Sequence, residues 1–168
     1  MTGWKNICCA VDLSEPSRVA MLKAAELSRR FEGNLVLVYV HPFAPTLGTN
    51  MLAAPQDFAE LQVEEIEETM ARWRVEAEHV AGRPVRSVVL SGDAATEILG
   101  FARERECDVL VVATHGRKGL SRLVLGSVAE KIVRTATCSV MVARPTEPAT
   151  ARAVFGDAKR SGETAMEG

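Results

Sequence analysis

A short basic segment rich in glycine holds the residues whose types and spacing could do chemistry. It runs from Thr114 to Ser127, reads THGRKGLSRLVLGS, and carries Arg117 and Lys118 near its start. Glycine lets a backbone approach a ligand closely. Gly126 and Ser127 precede a helical pattern, and the free N–H groups and dipole at a helix start favour an anion. The segment therefore predicts a site for phosphate groups.

A purely structural interpretation of the same segment stays open. Ser127 and Glu130 have the spacing of a capping box, in which the serine side chain caps the helix. Capping and phosphate binding are compatible if backbone N–H groups contact the phosphates. His115 could likewise contact a phosphate, although local hydrogen bonding is the more common role of such a histidine.

The elements that must position this segment alternate between apolar runs and helical patterns. The predicted strands cover 6–11, 35–40, 85–90, 108–113 and 140–143. Their residues are mostly apolar on both faces instead of alternating with polar ones, as expected of a parallel sheet covered on both faces. Ser14 and Pro16 mark the start of the first helix and Gly33 its end. Asp93 is expected to cap the helix that follows the third strand. Right-handed crossovers then predict an α/β fold with a five-stranded, doubly wound parallel sheet in the order 3-2-1-4-5.

This topology brings two distant segments together. Ligands of open α/β sheets bind at the carboxyl ends of the strands, where the strand order reverses. For this order the crevice lies between strands one and four, which end at Asp12 and at Ala113 to Gly116. An aspartate there could also hold Mg²⁺ that arrives with phosphates, because hard cations favour oxygen ligands.

Composition excludes several other classes of protein. A net charge of −2 without a basic stripe argues against nucleic acid as a partner. The first apolar run, Ile7 to Val11, is too short to span a membrane, and the start of the chain has no signal-peptide pattern, so a cytoplasmic protein is expected. The four cysteines form no CxxC pair, which favours packed free thiols over a metal site.

The 168 residues suit one domain followed by a tail. Residues 1–145 carry all of the strand and helix patterns, whereas 146–168 are rich in small and charged residues. We therefore expect a nucleotide-binding domain at 1–145 and a C-terminal tail or extension at 146–168.

Several ordered segments resemble the universal stress protein family. Ala113 to Gly116, nine further residues and Gly126-Ser127 are similar to that family's ATP-binding motif, which is G-x-x-G, nine residues, then G and Ser or Thr. The run AVDLSEPS at 10–17 resembles its first strand and turn. Gly92-Asp93-Ala94 and the last strand, CSVMVA at 138–143, also match. The resemblance covers about 5–144.

The resemblance implies a fold, a ligand and an assembly. The fold would be the adenine nucleotide α-hydrolase-like one, and the ligand ATP, with Mg²⁺ as a companion ion. Members usually form homodimers, here through the last strand, Val140 to Ala143. They act as regulators under stress with at most weak hydrolysis, which implies no dedicated catalytic activity and a regulatory protein partner of unknown identity.

The resemblance also assigns residues. Asp12 and the backbone of Val40 would lie near the nucleoside, and Gly116, Gly126 and Ser127 would face the phosphates. The remaining nucleotide-binding positions follow from the motif or by adjacency, and they are Ala113, Arg117 and Val128.

Two departures from the family pattern keep alternatives open. Ala113 replaces the first motif glycine, and Leu13 stands where the family often has glycine. A dimeric partner-binding module that no longer binds nucleotide is therefore a second hypothesis. A third is an enzyme on the same fold, such as an ATP pyrophosphatase or adenylyl transferase, but the SGGxDS, HIGH and KMSKS signatures of such enzymes are absent.

Overall fold

A computed structural model describes residues 3–42, 56–114 and 125–144, which form nine alternating strands and helices. The predicted tail at 146–168 lies outside the described residues. The elements in chain order are β1 (Asn6–Val11), α1 (Glu15–Phe31), β2 (Asn34–His41), α2 (Gln56–Ala81), β3 (Val85–Ser91), α3 (Ala94–Glu104), β4 (Val109–Ala113), α4 (Ser127–Thr135) and β5 (Ser139–Ala143).

The sheet confirms the predicted topology. Its five strands are all parallel and lie in the order β3-β2-β1-β4-β5. The chain leaves β1 toward β2 on one side and returns to β4 on the other. The strand order therefore reverses between β1 and β4, and a crevice is expected where these two strands end.

Two apolar layers cover the two faces of the sheet. Alternate residues of β1 point to opposite faces, so Cys9 packs with α1 and α2, whereas Cys8 packs with α3 and α4. Val111 and Leu110 of β4 divide in the same way, and both are fully buried. Burial on both faces explains why the central strands β1 and β4 are apolar on both faces instead of alternating with polar residues.

The first helix ends differently from the prediction. Its C-cap is Glu32, which takes a left-handed conformation with a φ of 52°, and not Gly33. Gly33 instead allows the backbone of Trp4 to pack closely against it, because a Cβ at residue 33 would lie 2.5 Å from the Trp4 carbonyl oxygen. The start is as predicted: Ser14 is the N-cap, its side chain accepts a hydrogen bond from the Ser17 amide, and Pro16 lies in the first turn.

The amino end of the sheet is closed by one carboxylate. Asp108 Oδ2 accepts hydrogen bonds from the backbone amides of Lys5 and Asn6, each at 2.7 Å. The Asp108 amide in turn donates to the Asn6 carbonyl at 2.8 Å. These contacts hold the start of β1 against the start of β4, and the crevice is expected at the opposite end of the same pair.

Candidate functional site

The turn after β1 is held by a compact set of hydrogen bonds. Asp12 Oδ1 accepts from the amide of Ser14 at 3.1 Å and from its hydroxyl. The Ser17 hydroxyl accepts from the Asp12 amide at 3.2 Å and donates to the Ser14 carbonyl at 3.0 Å. Ser17 is buried, so these bonds lie in a protected setting. The turn thus fixes Asp12 at the carboxyl end of β1, as predicted.

Leu13 occupies an unusual backbone conformation in this turn. Its φ is 61°, in the left-handed region that favours glycine. The side chain is half-buried and packs against the core on the α1 and α2 face. The departure from the family pattern at this position therefore has a conformational cost that a glycine would not have.

The start of α4 is drawn directly to the end of β4. The amide of Gly126 donates to the carbonyl of Thr114 at 2.8 Å, and the Thr114 amide donates to the Ala143 carbonyl at 3.2 Å. The chain therefore enters α4 beside the last residue of β4, next to the strand that carries Asp12. Two of the predicted segments, at 12 and at 126–128, thus lie at the carboxyl ends of the neighbouring strands β1 and β4.

The predicted capping box is not formed. The N-cap of α4 is Gly126, whose φ and ψ are −60° and 149°, and no side-chain hydrogen bond caps the helix. Ser127 is the first helical residue, and the Glu130 amide bonds to the Gly126 carbonyl at 2.8 Å. A serine inside the helix cannot act as its N-cap, so the predicted capping role of Ser127 is wrong. Val128 follows with 39% of its surface exposed.

Val40 lies at the same level of the sheet as Asp12. The last paired residues of β1 and β2 are Val11 and Tyr39, and Val40 is the next residue of β2. Its partner on the other side is Leu90 of β3. The backbone groups of Val40 that face β1 therefore lie one residue beyond the last β1–β2 pair, at the carboxyl end of the sheet.

Ala113 has the extended backbone of a strand. It ends β4, pairs with Ala143, and is not among the described residues that have a positive φ. Its side chain packs toward the α1 and α2 layer. The methyl group at this motif position therefore causes no backbone strain.

The remaining predicted site residues, Gly116 and Arg117, lie outside the described residues, as does His115. Within the part of the chain that the structure describes, no group of three potential metal ligands comes together. No helix in that part is long and apolar enough to cross a membrane.

The sequence analysis did not predict an ion pair that lies beyond the carboxyl end of β3. Lys131 of α4 reaches Asp93, the N-cap of α3, with Nζ 3.0 Å from Oδ1. Hydrogen bonds from Thr96 and Lys131 lower the pKa of Asp93 to about 2. The cap itself was predicted from the sequence. The partner was not, because 35 residues or more separate Lys131 from the start of α3 and only the packing of α4 against α3 brings them together.

Comparison with known proteins agrees with this architecture. The model of the universal stress protein family matches residues 3–144. Universal stress protein MJ0531 of Methanocaldococcus jannaschii is 31% identical over 141 residues, which are 84% of this chain and 82% of the relative.

Solved structures share the fold at lower identity. Universal stress protein UspA from Lactobacillus plantarum has a TM-score of 0.73 at 21% identity, with 84% of this chain and 99% of that chain covered. A universal stress protein in complex with cAMP has a TM-score of 0.65 at 16% identity, covering 86% and 100%. One from Archaeoglobus fulgidus in complex with dAMP has a TM-score of 0.58 at 20% identity, covering 84% and 98%.

The fold is the adenine nucleotide α-hydrolase-like one of these neighbours. Since the family model spans most of the chain and the relative exceeds 30% identity over more than four fifths of it, the chain belongs to the universal stress protein family.

Proposed function

We propose that this chain is an ATP-binding regulatory protein of the stress response that acts as a homodimer with at most weak hydrolysis. The observation that carries the proposal is the hydrogen bond from Gly126 to Thr114, which brings the start of α4 to the end of β4. Relatives with the same fold are in complex with cAMP and with dAMP, and this supports an adenine nucleotide as the ligand.

The phosphates would contact the first turn of α4. The first amides of an α-helix have no acceptor within the helix. The Gly126 amide is already bonded to Thr114, so the amides of Ser127 and Val128 are the donors that an anion would use. The Ser127 hydroxyl is available for the same task, because it does not cap the helix. Gly116 and Arg117 would complete this phosphate site.

The nucleoside would lie across the ends of β1 and β2. Asp12 and the backbone of Val40 stand at one level there, and backbone groups at strand ends suit recognition of a base or ribose. The described residues bring no group of three potential metal ligands together, so Asp12 would hold Mg²⁺ only together with phosphate oxygens. Ala113 fits the same site, because its strand conformation needs no glycine.

The homodimer would form through β5. This strand is the edge of the described sheet, and only β4 pairs with it there. The side chains of Val140, Met141 and Val142 are only partly buried. An apolar edge with unpaired backbone groups is stabilised when a second copy covers it. Sedimentation of the purified chain tests this part of the proposal.

Titration calorimetry of two variants at one position tests the nucleotide site. The Gly126 conformation is open to any residue, and Asp and Asn are both favoured at an N-cap. Both Gly126→Asp and Gly126→Asn should therefore fold, and they differ in charge but hardly in size. An added negative charge about 4 Å from a phosphate costs about 4 kcal/mol at an effective dielectric constant of about 20. We expect Asp to weaken ATP binding by on the order of a hundredfold or more, and Asn by much less.

The outcomes separate the hypotheses. Equal binding by the Asp and Asn variants would place the phosphates away from α4 and contradict the assigned site. No ATP binding by the wild-type chain at millimolar concentration would overturn the nucleotide function. The dimeric partner-binding module without nucleotide would then describe this chain, and a partner captured equally with and without ATP would support it.

A further inference from the structure

The ion pair of Lys131 and Asp93 lies beside the site proposed for the nucleotide. Asp93 follows β3, and Lys131 belongs to α4, which begins beside the end of β4. In the sheet order β3-β2-β1-β4, the strands β2 and β1 lie between these two elements. A contact that joins the helices after β3 and β4 therefore passes the carboxyl ends of β1 and β2, where the nucleoside would lie.

Asp93 stands farther out than the end of β1. The pairing of β1 with β2 ends at Val11, whereas the pairing of β2 with β3 continues two residues farther along β2 and ends at Ser91. Gly92 follows with a φ of 147°, and its amide donates to the His41 carbonyl at 3.0 Å. This turn places the Asp93 carboxylate beyond the carboxyl end of the sheet, on the side where a ligand would enter.

The Lys131 ammonium is held at the starts of two helices. Lys131 lies one helical turn after Ser127, and side chains of a helix lean toward its amino end. Lys131 Nζ is 3.0 Å from Asp93 Oδ1 and 3.3 Å from Thr96 Oγ1, which belong to the N-cap and the first turn of α3. The ammonium therefore adds a positive charge near the first turn of α4, where the helix dipole already favours an anion.

The ion pair is built so that Lys131 can change partner. The side chains of Lys131 and Asp93 are 53% and 64% exposed, and exposed ion pairs contribute little to stability. Asp93 Oδ1 also accepts hydrogen bonds from the amide of Thr96, at 3.0 Å, and from its hydroxyl. The carboxylate therefore keeps hydrogen-bond donors when the ammonium leaves. Asp93 thus competes with a phosphate for the same ammonium.

We propose that Lys131 leaves Asp93 to bind the outer phosphates of the nucleotide, so that the site prefers nucleoside triphosphates to monophosphates. The inference rests on the proposed nucleotide function. The amides of Ser127 and Val128 serve the phosphate nearest the ribose, which every adenine nucleotide carries. The ammonium adds a charge-assisted hydrogen bond only where further phosphates extend the chain. Lys131 therefore reads the number of phosphates, and Asp93 opposes it.

The test is titration calorimetry of the full chain with ATP, and with AMP measured by displacement of ATP. Lys131→Met removes the charge and keeps most of the side-chain length. It should weaken ATP binding about tenfold and AMP binding by less than about twofold, because only ATP would lose a charge-assisted hydrogen bond. Asp93→Asn keeps a capping side chain but removes the competing charge, and it should tighten ATP binding by about two- to fivefold.

Lys23 supplies the matched control. It is also a half-exposed lysine inside a helix, and its Nζ is 2.9 Å from Glu26 Oε2. Lys23 lies about 12 Å along α1 from the start of that helix, which exceeds the Debye length of about 8 Å at physiological ionic strength. Lys23→Met changes the net charge by the same amount, and ATP binding should stay within about twofold of wild type. Urea unfolding checks that each variant is folded.

Three results would overturn the inference. One is an equal loss of ATP and AMP affinity in Lys131→Met, which would give Lys131 a purely structural role. Another is an ATP affinity of Lys131→Met equal to that of Lys23→Met. The third is weaker ATP binding by Asp93→Asn, because Asp93 would then support the site instead of competing with the phosphates. All three leave the nucleotide function intact, whereas a wild-type chain that binds no ATP would overturn both proposals.

Discussion

Leu13 allows a test of backbone strain beside the crevice. Its φ of 61° is ordinary for glycine and unfavourable for every residue that has a Cβ. Replacing Leu13 with Ala removes most of the half-buried side chain but keeps the strain. Replacing it with Gly removes the same packing and the strain together. The difference between the two variants therefore isolates the backbone term.

The expected difference has a definite sign and size. A left-handed conformation costs a residue with a Cβ roughly 1–2 kcal/mol. Glycine, in turn, loses about 0.5–1 kcal/mol relative to alanine because its unfolded chain is more flexible. The balance leaves Leu13→Gly more stable than Leu13→Ala by about 0.5–1 kcal/mol. Both should be less stable than wild type by up to about 2 kcal/mol, because Leu13 is only half-buried.

Urea unfolding measures these free energies, and Leu22 supplies the matched control. Leu22 is also half-buried and packs against the same layer, but it lies inside α1. There Gly should be less stable than Ala by about 1 kcal/mol, so the order of the two variants should reverse between the sites. The same order at Leu13 as at Leu22 would refute the assignment of strain to residue 13.

Two further predictions concern the caps of α1 and α3. Glu32 is exposed and has a left-handed backbone conformation, so Glu32→Gly should raise the free energy of unfolding by about 0.5–1 kcal/mol. Urea unfolding measures this change, and an unchanged or lower stability would contradict the cap conformation. The folded pKa of Asp93 lies near 2, below its ordinary 3.8, so its stabilising contribution is complete above pH 4 and lost as the pH falls toward 2. Asp93→Asn keeps a capping side chain without that titration, and its stability should fall less steeply between pH 4 and 2; parallel curves would refute the role of Asp93.

The caps show how far sequence patterns reach. Ser14 and Asp93 were predicted as N-caps, and both accept the expected backbone amide. Gly126 was mistaken for the residue before a serine cap, and Gly33 for the end of α1. Candidate caps one residue apart differ by only tenths of a kcal/mol in their local preferences. Tertiary contacts therefore decide between them: the bond from Gly126 to Thr114 at one site, and the close approach of Trp4 to Gly33 at the other.

Some residues of the predicted site have positions that follow from the sequence, whereas others stay untested predictions. Asp12, Val40 and Gly126 all lie at the carboxyl ends of the strands. This placement follows from strand order, which in turn follows from the alternation of strands and helices. The roles of Gly116 and Arg117 stay predictions, because both lie outside the described residues.

By itself, the sequence determined the elements, their order, the parallel sheet and the family motifs. These features depend on local patterns of apolar residues and turns, which each segment carries independently. Only the tertiary structure decided which distant side chains meet. The contacts of Asp108 with the amides of Lys5 and Asn6 depend on strand register, and the ion pair of Lys131 and Asp93 depends on helix packing. Register is set by burial summed over a whole strand, so no short stretch of sequence contains it.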